Sequence, residues 1–315
     1  MSRSRHPINR REFLKIGAMT AGAGLLPCTP LLAARPDSAT KAILKPIPSS
    51  NEMLPVIGMG TSRTFDVSPA GGDTQPLLEV LQAFFLGGGA LIDSSPMYGN
   101  AEQVLGKLLA RVPGKDKLFA ATKVWTFGED NGIEQMDQSF RRMGVGRMDL
   151  MQVHNLRDWK VQLKTLRDWK ERGKIRYLGI TTSRVSQYEE FEKVMREEPL
   201  DFVQLNYNIR VRDAEQRLLP LAAEKNIAVL VNRPFERGGL FERVGSRPVP
   251  AWASDLDCGT WGQFFLKYVV SHPAVTCAIP ATSKLRHMTD NMQAGHGRLP
   301  DASMRLKMQR YFASL

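Results

Sequence analysis

Asp93, Tyr98, Lys123 and His154 are the residues whose types and spacing could do chemistry. The stretch Leu91-Ile92-Asp93-Ser94-Ser95-Pro96-Met97-Tyr98-Gly99-Asn100 continues a short apolar run begun at Gly89, then stops in Ser, Ser and Pro. After Asn100 the pattern turns helical, with Val104, Leu105, Leu108 and Leu109 on one side. Asp93 is therefore expected at the carboxyl end of a strand, with Tyr98 in the loop that follows. Residues 118–123 and 148–154 are two more mostly apolar runs, and they end on Lys123 and His154. A tyrosine with its usual pKa of about 10 is a poor acid at neutral pH. A lysine cation beside it lowers that pKa, an aspartate keeps the lysine charged and in place, and a histidine can orient a substrate oxygen. Such a set can give a proton to a carbonyl oxygen as hydride reaches its carbon. Taken singly, the four are more often a helix cap, packing, a structural hydrogen bond or a solvated charge. Their occurrence together at successive strand ends is what points to a site. The set does not suit acyl transfer, and the chain has no G-x-S-x-G elbow.

These ends need elements to hold them. Residues 35–55 are Pro-rich and read as a linker and first turn. From there apolar runs and helical periods alternate. Strands are predicted at 56–61, 89–92, 118–123, 148–154, 175–180, 202–205, 227–231 and 275–279. Helices are predicted at 76–86, 101–109, 133–143, 159–172, 188–195, 214–225, 260–270 and 285–292, and a long loop over 232–257. Repeated strand–helix units demand a parallel sheet. Eight in one series fit a single-domain (β/α)8 barrel over residues 35–315 better than an open doubly wound sheet. Both folds put their chemistry at the carboxyl ends of the strands.

The composition, 43% hydrophobic, permits a sizeable core. The formal charge of +11 is partly local, because residues 1–34 carry five basic side chains against Glu12. The rest is spread out as a solvated basic surface, and no aromatic-rich basic stripe argues for nucleic acid. The three cysteines make no disulfide framework: Cys28 lies in the leader, and Cys258 and Cys277 pair only if the fold brings them together. No metal-ligand cluster stands out.

At the amino end, Asn9-Arg10-Arg11-Glu12-Phe13-Leu14-Lys15 precedes an apolar, Gly- and Ala-rich stretch over 16–26. A basic start, an apolar middle and a small-residue end describe an export signal, and the paired arginines resemble a twin-arginine signal. Residues 1–34 are expected to be cleaved near Ala34 after export to the bacterial periplasm by the twin-arginine machinery. The apolar stretch is short for a membrane anchor, and Pro27 before Cys28 argues against lipid attachment.

From Leu54 to Gly295 the chain resembles the aldo/keto reductase family. The resemblance is carried by Gly58-Met59-Gly60-Thr61, Asp93 through Glu102, Thr122-Lys123-Val124-Trp125, Asp149 through His154, and Pro280 through Asn291. It implies a barrel that binds NADP(H) without a Rossmann domain, and the chain has no G-x-G-x-x-G between a strand and a helix. It implies Tyr98 as general acid, supported by Asp93, Lys123 and His154. For the cofactor it implies Gly60, Thr61, Asp93 and Gln204, with Thr181 and Thr182 where the family has a Ser-Asn pair. Asn232 stands where an aromatic ring often stacks on the nicotinamide, followed by Arg233. Thr282, Lys284, Arg286 and Asn291 fall at the adenosine end, where Lys284 and Arg286 favour NADP(H) over NAD(H) by meeting the 2′-phosphate. Trp125, Phe127, Asn155 and, from the long loop, Trp252 are the residues expected to line the substrate pocket.

The reading is an exported NADP(H)-dependent reductase of an aldehyde or ketone, or the reverse dehydrogenase. Its rival is an NADP(H)-binding barrel that acts as a redox sensor or partner subunit with little turnover. The tetrad favours the first; the altered nicotinamide positions and the export signal favour the second.

Overall fold

The computed structural model describes residues 41–69 and 73–315, and the export signal read over residues 1–34 lies outside them. β1 (Leu44–Pro46) and β2 (Met53–Pro55) form an antiparallel hairpin. Eight strands follow: β3 (Met59–Gly60), β4 (Leu91–Asp93), β5 (Phe119–Val124), β6 (Met148–His154), β7 (Ile175–Thr181), β8 (Phe202–Asn206), β9 (Ala228–Asn232) and β10 (Cys277–Ala278). Each pairs in parallel with the next in sequence. The ring closes where the Gly58 N–H donates to Ala278 O at 2.8 Å and the Gly60 N–H to Pro280 O at 3.0 Å. The helices are α1 (Gln75–Leu86), α2 (Ala101–Leu109), α3 (Glu129–Met143), α4 (Trp159–Glu171), α5 (Tyr188–Glu197), α6 (Leu218–Glu224), α7 (Gly239–Val244), α8 (Trp261–Val270), α9 (Leu285–Gln293) and α10 (Ala302–Ala313). The fold is the parallel (β/α)8 barrel expected from the alternation.

Strand alternation builds the interior. Leu91, Phe119, Ala121, Leu150, Tyr177, Phe202, Ala228, Leu230, Cys277 and Ile279 form one buried cluster inside the ring, joined by Ile47 and Leu54 of the hairpin. Phe119 stacks on Tyr177, and Tyr177 meets Phe202 edge-on. Burying a large apolar side chain contributes roughly 1.5–3 kcal/mol, so this end of the barrel coheres without polar help. The hairpin plugs it: the Tyr177 hydroxyl donates to Glu52 Oε2 at 2.7 Å and lies 2.8 Å from Ser50 Oγ, and Arg176 bridges Glu52 and Asp149. One or two steps farther along the same inward faces, apolar residues give way to Asp93, Lys123, Gln152, His154, Thr181, Gln204 and Asn232.

Several elements differ from their sequence reading. The first barrel strand pairs regularly only at Met59–Gly60, with an isolated bridge at Ile57. The helix expected over 214–225 is split into a short 3-10 turn and α6, because Pro220 lacks an N–H and is tolerated only in a first turn. α3 begins at Glu129, four residues early: its first turn has no apolar stripe to read, but Glu129 and Asp130 suit the positive end of the helix dipole. The long loop over 232–257 contains α7 and two 3-10 turns. α10 was not anticipated; its cap is Asp301, whose carboxylate accepts the Met304 N–H at 2.8 Å. Cys258 and Cys277 are both buried, and among the described residues neither is in a disulfide.

Candidate active site

The site forms because β4, β5 and β6 are neighbours and their inward positions fall in register. Asp93 pairs with Ala121 across β4 and β5, and Lys123 with Gln152 across β5 and β6. Lys123 Nζ reaches Asp93 Oδ2 at 2.5 Å and Ser94 O at 2.7 Å, with both partners of the ion pair essentially excluded from solvent. The same ammonium lies 5.2 Å from the centre of the Tyr98 ring. The Tyr98 and His154 rings meet edge to face at 5.7 Å. The four residues read from the sequence therefore converge on one end of the barrel.

Gln152 and Ser95 were missed from sequence, and Gln204 and Thr61, read there only as cofactor contacts, also join this cluster. Asp93 Oδ1 accepts Gln152 Nε2 at 3.2 Å and Gln204 Nε2 at 3.0 Å, so the carboxylate is held by a cation on one oxygen and two amides on the other. Gln152 carried a usable signal: it stands two residues before His154 in a strand and so shares its face. Ser95 Oγ lies 3.0 Å from His154 Nδ1 and accepts the Met97 N–H at 3.2 Å. Thr61 Oγ1 donates to Asp93 O at 3.1 Å and lies 2.9 Å from Ser94 Oγ, tying the first barrel strand to the loop that carries Tyr98. Gly99 has φ +59 and lies so close to Asp66 that a Cβ would stand 2.2 Å from its Oδ1. That carboxylate accepts the Asn100 N–H at 2.9 Å, so the turn carrying Tyr98 requires a glycine there.

The electrostatics correct one expectation. Burial pushes the Tyr98 phenol above its usual value, Lys123 opposes this, and Asp93 adds to it. The net shift is upward, because desolvation costs the phenolate more than a lysine already paired with Asp93 returns. Burial opposes the charge on Lys123, but Asp93 and Tyr98 outweigh it, and the ammonium is held above its usual range. His154 is pushed down to about 2 by burial, with Lys123 and Arg157 adding to the effect, so its ring is neutral at physiological pH. Tyr98 is thus a protonated acid at rest, beside a permanent cation and a neutral imidazole.

The residues expected to meet a cofactor fall on a continuous arc. Thr181, Gln204, Asn232 and Thr282 lie at or just past the ends of β7, β8, β9 and β10, and Gly60 and Thr61 close the arc at β3. Asn232 Nδ2 donates to Thr182 O at 3.0 Å, and Arg233 donates twice to Ser183 at 2.8 Å. Two acceptors in this region, Asn155 Oδ1 and Asn232 Oδ1, are buried with no hydrogen-bond partner among the described residues. Lys284 caps α9 without a side-chain hydrogen bond, and Arg286 follows in its first turn; both are exposed. Asn291 is buried on the inner face of α9. Thr182 differs from expectation: its hydroxyl is taken up inside its own loop, donating to Gln187 Oε1 at 2.8 Å and accepting the Arg184 N–H at 3.1 Å.

Of the residues expected to line a substrate pocket, Trp125, Phe127 and Asn155 lie on the loops directly after β5 and β6. Trp252 does not join them. It packs on Phe264 and Tyr311, with Lys307 over its ring, in a groove shared with Ser303, Leu306 and Arg310 of α10. The loop that carries it folds outward onto α8 and α10, whose apolar faces offer more burial than an open mouth. Among the described residues no group of His, Cys, Asp or Glu is arranged to hold a metal, and no helix is long and apolar enough to cross a membrane.

The aldo/keto reductase family model matches residues 56–307. YhdN of Bacillus subtilis, an aldo-keto reductase, is 29% identical over 201 residues, and the match covers 58% of this chain and 59% of YhdN. The methylglyoxal reductase YeaE of Escherichia coli is 25% identical over 274 residues, covering 84% of this chain and 93% of YeaE. An aldo-keto reductase from Klebsiella pneumoniae, solved in complex with NADPH, superimposes with a TM-score of 0.67 at 21% identity, covering 87% of this chain and 95% of that one. From the first barrel strand to the last helix, this chain belongs to the aldo/keto reductase family.

Proposed function

We propose that this chain is an NADP(H)-dependent reductase of aldehydes or ketones, running also in reverse, with Tyr98 as general acid and base. The observation that carries the reading is the buried Asp93–Lys123 pair at 2.5 Å with its ammonium against the Tyr98 ring. The naming of one relative as a methylglyoxal reductase and the NADPH in a structural neighbour agree with it.

The polar groups of the arc fit a nicotinamide dinucleotide. The orphaned oxygens of Asn155 and Asn232 match a carboxamide NH2, and Gln204 and Thr181 lie beside them. Arg233, the open start of α9, Lys284 and Arg286 suit phosphates. When bound, the cofactor supplies the hydride that the carbonyl carbon gains. The rest belongs to this chain. His154 is neutral. If Ser95, which already accepts from Met97, gives its hydrogen to Nδ1, the ring hydrogen sits on Nε2 and can hold the substrate oxygen. Tyr98 delivers its proton to that oxygen as negative charge develops there. Lys123 stabilises the phenolate left behind, and Asp93 keeps Lys123 in place. Oxidation of the alcohol retraces these moves.

Turnover of a panel of aldehydes by purified protein with NADPH tests the activity. Lys284→Ala with Arg286→Ala tests the cofactor: loss of both should weaken NADPH more than NADH by roughly 1–3 kcal/mol, as charge-assisted contacts to a 2′-phosphate would. Equal weakening in a fluorescence titration rejects that role.

We also propose export to the periplasm through the twin-arginine route, from Arg10-Arg11 and the apolar stretch after them. Arg10→Lys with Arg11→Lys should retain the protein in the cytoplasm on fractionation; unchanged export rejects the route.

A further inference from the structure

The turn after His154 is strained in a way that serves one side chain. Asn155, Leu156 and Asp158 have φ of 54, 56 and 51, and none is glycine. A left-handed conformation is least costly for Asn and Asp, but for Leu156 it persists only where the surroundings impose it. The Asn155 N–H donates to Thr181 Oγ1 at 3.3 Å, Gln187 Nε2 to Asn155 O at 3.2 Å, and the Arg157 N–H to His154 O at 3.2 Å. Asp158 Oδ2 accepts the Gly128 N–H at 2.7 Å, which ties the turn to the loop carrying Trp125 and Phe127. Gln135 clamps the Trp125 backbone from α3. The result is that the Arg157 guanidinium lies 4.1 Å from the Trp125 ring centre and 4.8 Å from that of Phe127.

Arg157 lacks what comparable arginines here possess. Arg167, Arg176, Arg298 and Arg305 each bind a carboxylate. The Arg157 guanidinium, half-buried beside the catalytic histidine, takes part in no ion pair or side-chain hydrogen bond among the described residues. The nearest acid in sequence, Asp158, is occupied by Gly128. The guanidinium carbon lies 4.1 Å and 4.8 Å from the two ring centres, and the guanidinium N–H groups have no acceptor among the described residues. A coplanar pair of N–H donors matches the two oxygens of a carboxylate.

Resting on the carbonyl-reductase reading, we propose that the substrate is an oxo-acid, an aldehyde or ketone that also carries a carboxylate. Arg157 receives the carboxylate in bidentate fashion, Trp125 and Phe127 cover the apolar body between, and the carbonyl oxygen reaches Tyr98 and His154. Arg157 thereby sets specificity.

The test compares 4-carboxybenzaldehyde with its methyl ester, which has the same frame without the charge. The ester is the more electron-withdrawing substituent, so reactivity alone favours the ester, and a preference for the acid must come from binding. The protein should prefer the acid in kcat/KM by on the order of ten- to a hundredfold, mainly through KM. In Arg157→Met the acid-to-ester ratio should fall to one or below, as reactivity alone dictates. Arg157→Lys, a cation without the fork, should fall between. A ratio near or below one in the parent overturns the proposal, and so does a ratio left unchanged by Arg157→Met. If the ester is reduced and the acid is not preferred, the carbonyl-reductase reading stands and this inference fails. If neither compound is reduced, calorimetric titration with 4-(hydroxymethyl)benzoate decides the anion site separately. Binding at least tenfold tighter to the parent than to Arg157→Met supports it, and equal affinity rejects it.

Discussion

Tyr98→Phe is expected to slow carbonyl reduction by about 10²–10⁴-fold, the usual range for loss of a general acid, while NADPH binds as before. The ring that packs against His154 and over the Lys123 ammonium stays in place, and only the acidic hydroxyl is lost. Burial holds that hydroxyl protonated at rest, so it has a proton to give, and Lys123 stabilises the phenolate once it has gone. Single-turnover reduction at saturating NADPH isolates the proton-transfer step from cofactor release. A variant as fast as the parent would remove Tyr98 from the chemistry. A parent that binds NADPH tightly yet reduces nothing across a broad panel would instead favour the sensor reading.

The second large effect is on stability, and it is asymmetric. Asp93→Ala should destabilise the barrel by roughly 3–5 kcal/mol, because it leaves a fully buried ammonium without its carboxylate. Lys123 would keep only Ser94 O at 2.7 Å and the neighbouring Tyr98. Lys123→Met should cost less, since the remaining carboxylate still accepts amide hydrogens from Gln152 and Gln204. The double variant should cost less than the sum, because each single change strands the other's charge. Urea unfolding of the three variants measures all of this, and additive losses would mean that the pair is not coupled. Both single variants should also slow reduction, Lys123→Met without adding to Tyr98→Phe, because one proton transfer needs both residues.

The alternation of apolar runs and helical periods was enough for the parallel barrel, because each βα unit buries its faces in the same way and only parallel pairing satisfies them all. Asp93, Tyr98, Lys123 and His154 were legible for a related reason. Each interrupts an apolar strand or its following loop at the carboxyl end, where a polar residue has no packing role. What the chain could not reveal one segment at a time is which inward positions share a level across strands. Gln152 and Gln204 belong to the tetrad only because β4, β6 and β8 stand at a register that brings all three to Asp93 Oδ1. The direction of the Tyr98 shift depended on burial, which no spacing reports. Trp252 was misplaced because a long loop can fold inward or outward, and the apolar faces of α8 and α10 decided that it folds outward. Arg157 had no sequence signal at all. Its position comes from a left-handed turn held by Thr181, Gln187 and Gly128, residues far apart in the chain that meet only when the barrel closes.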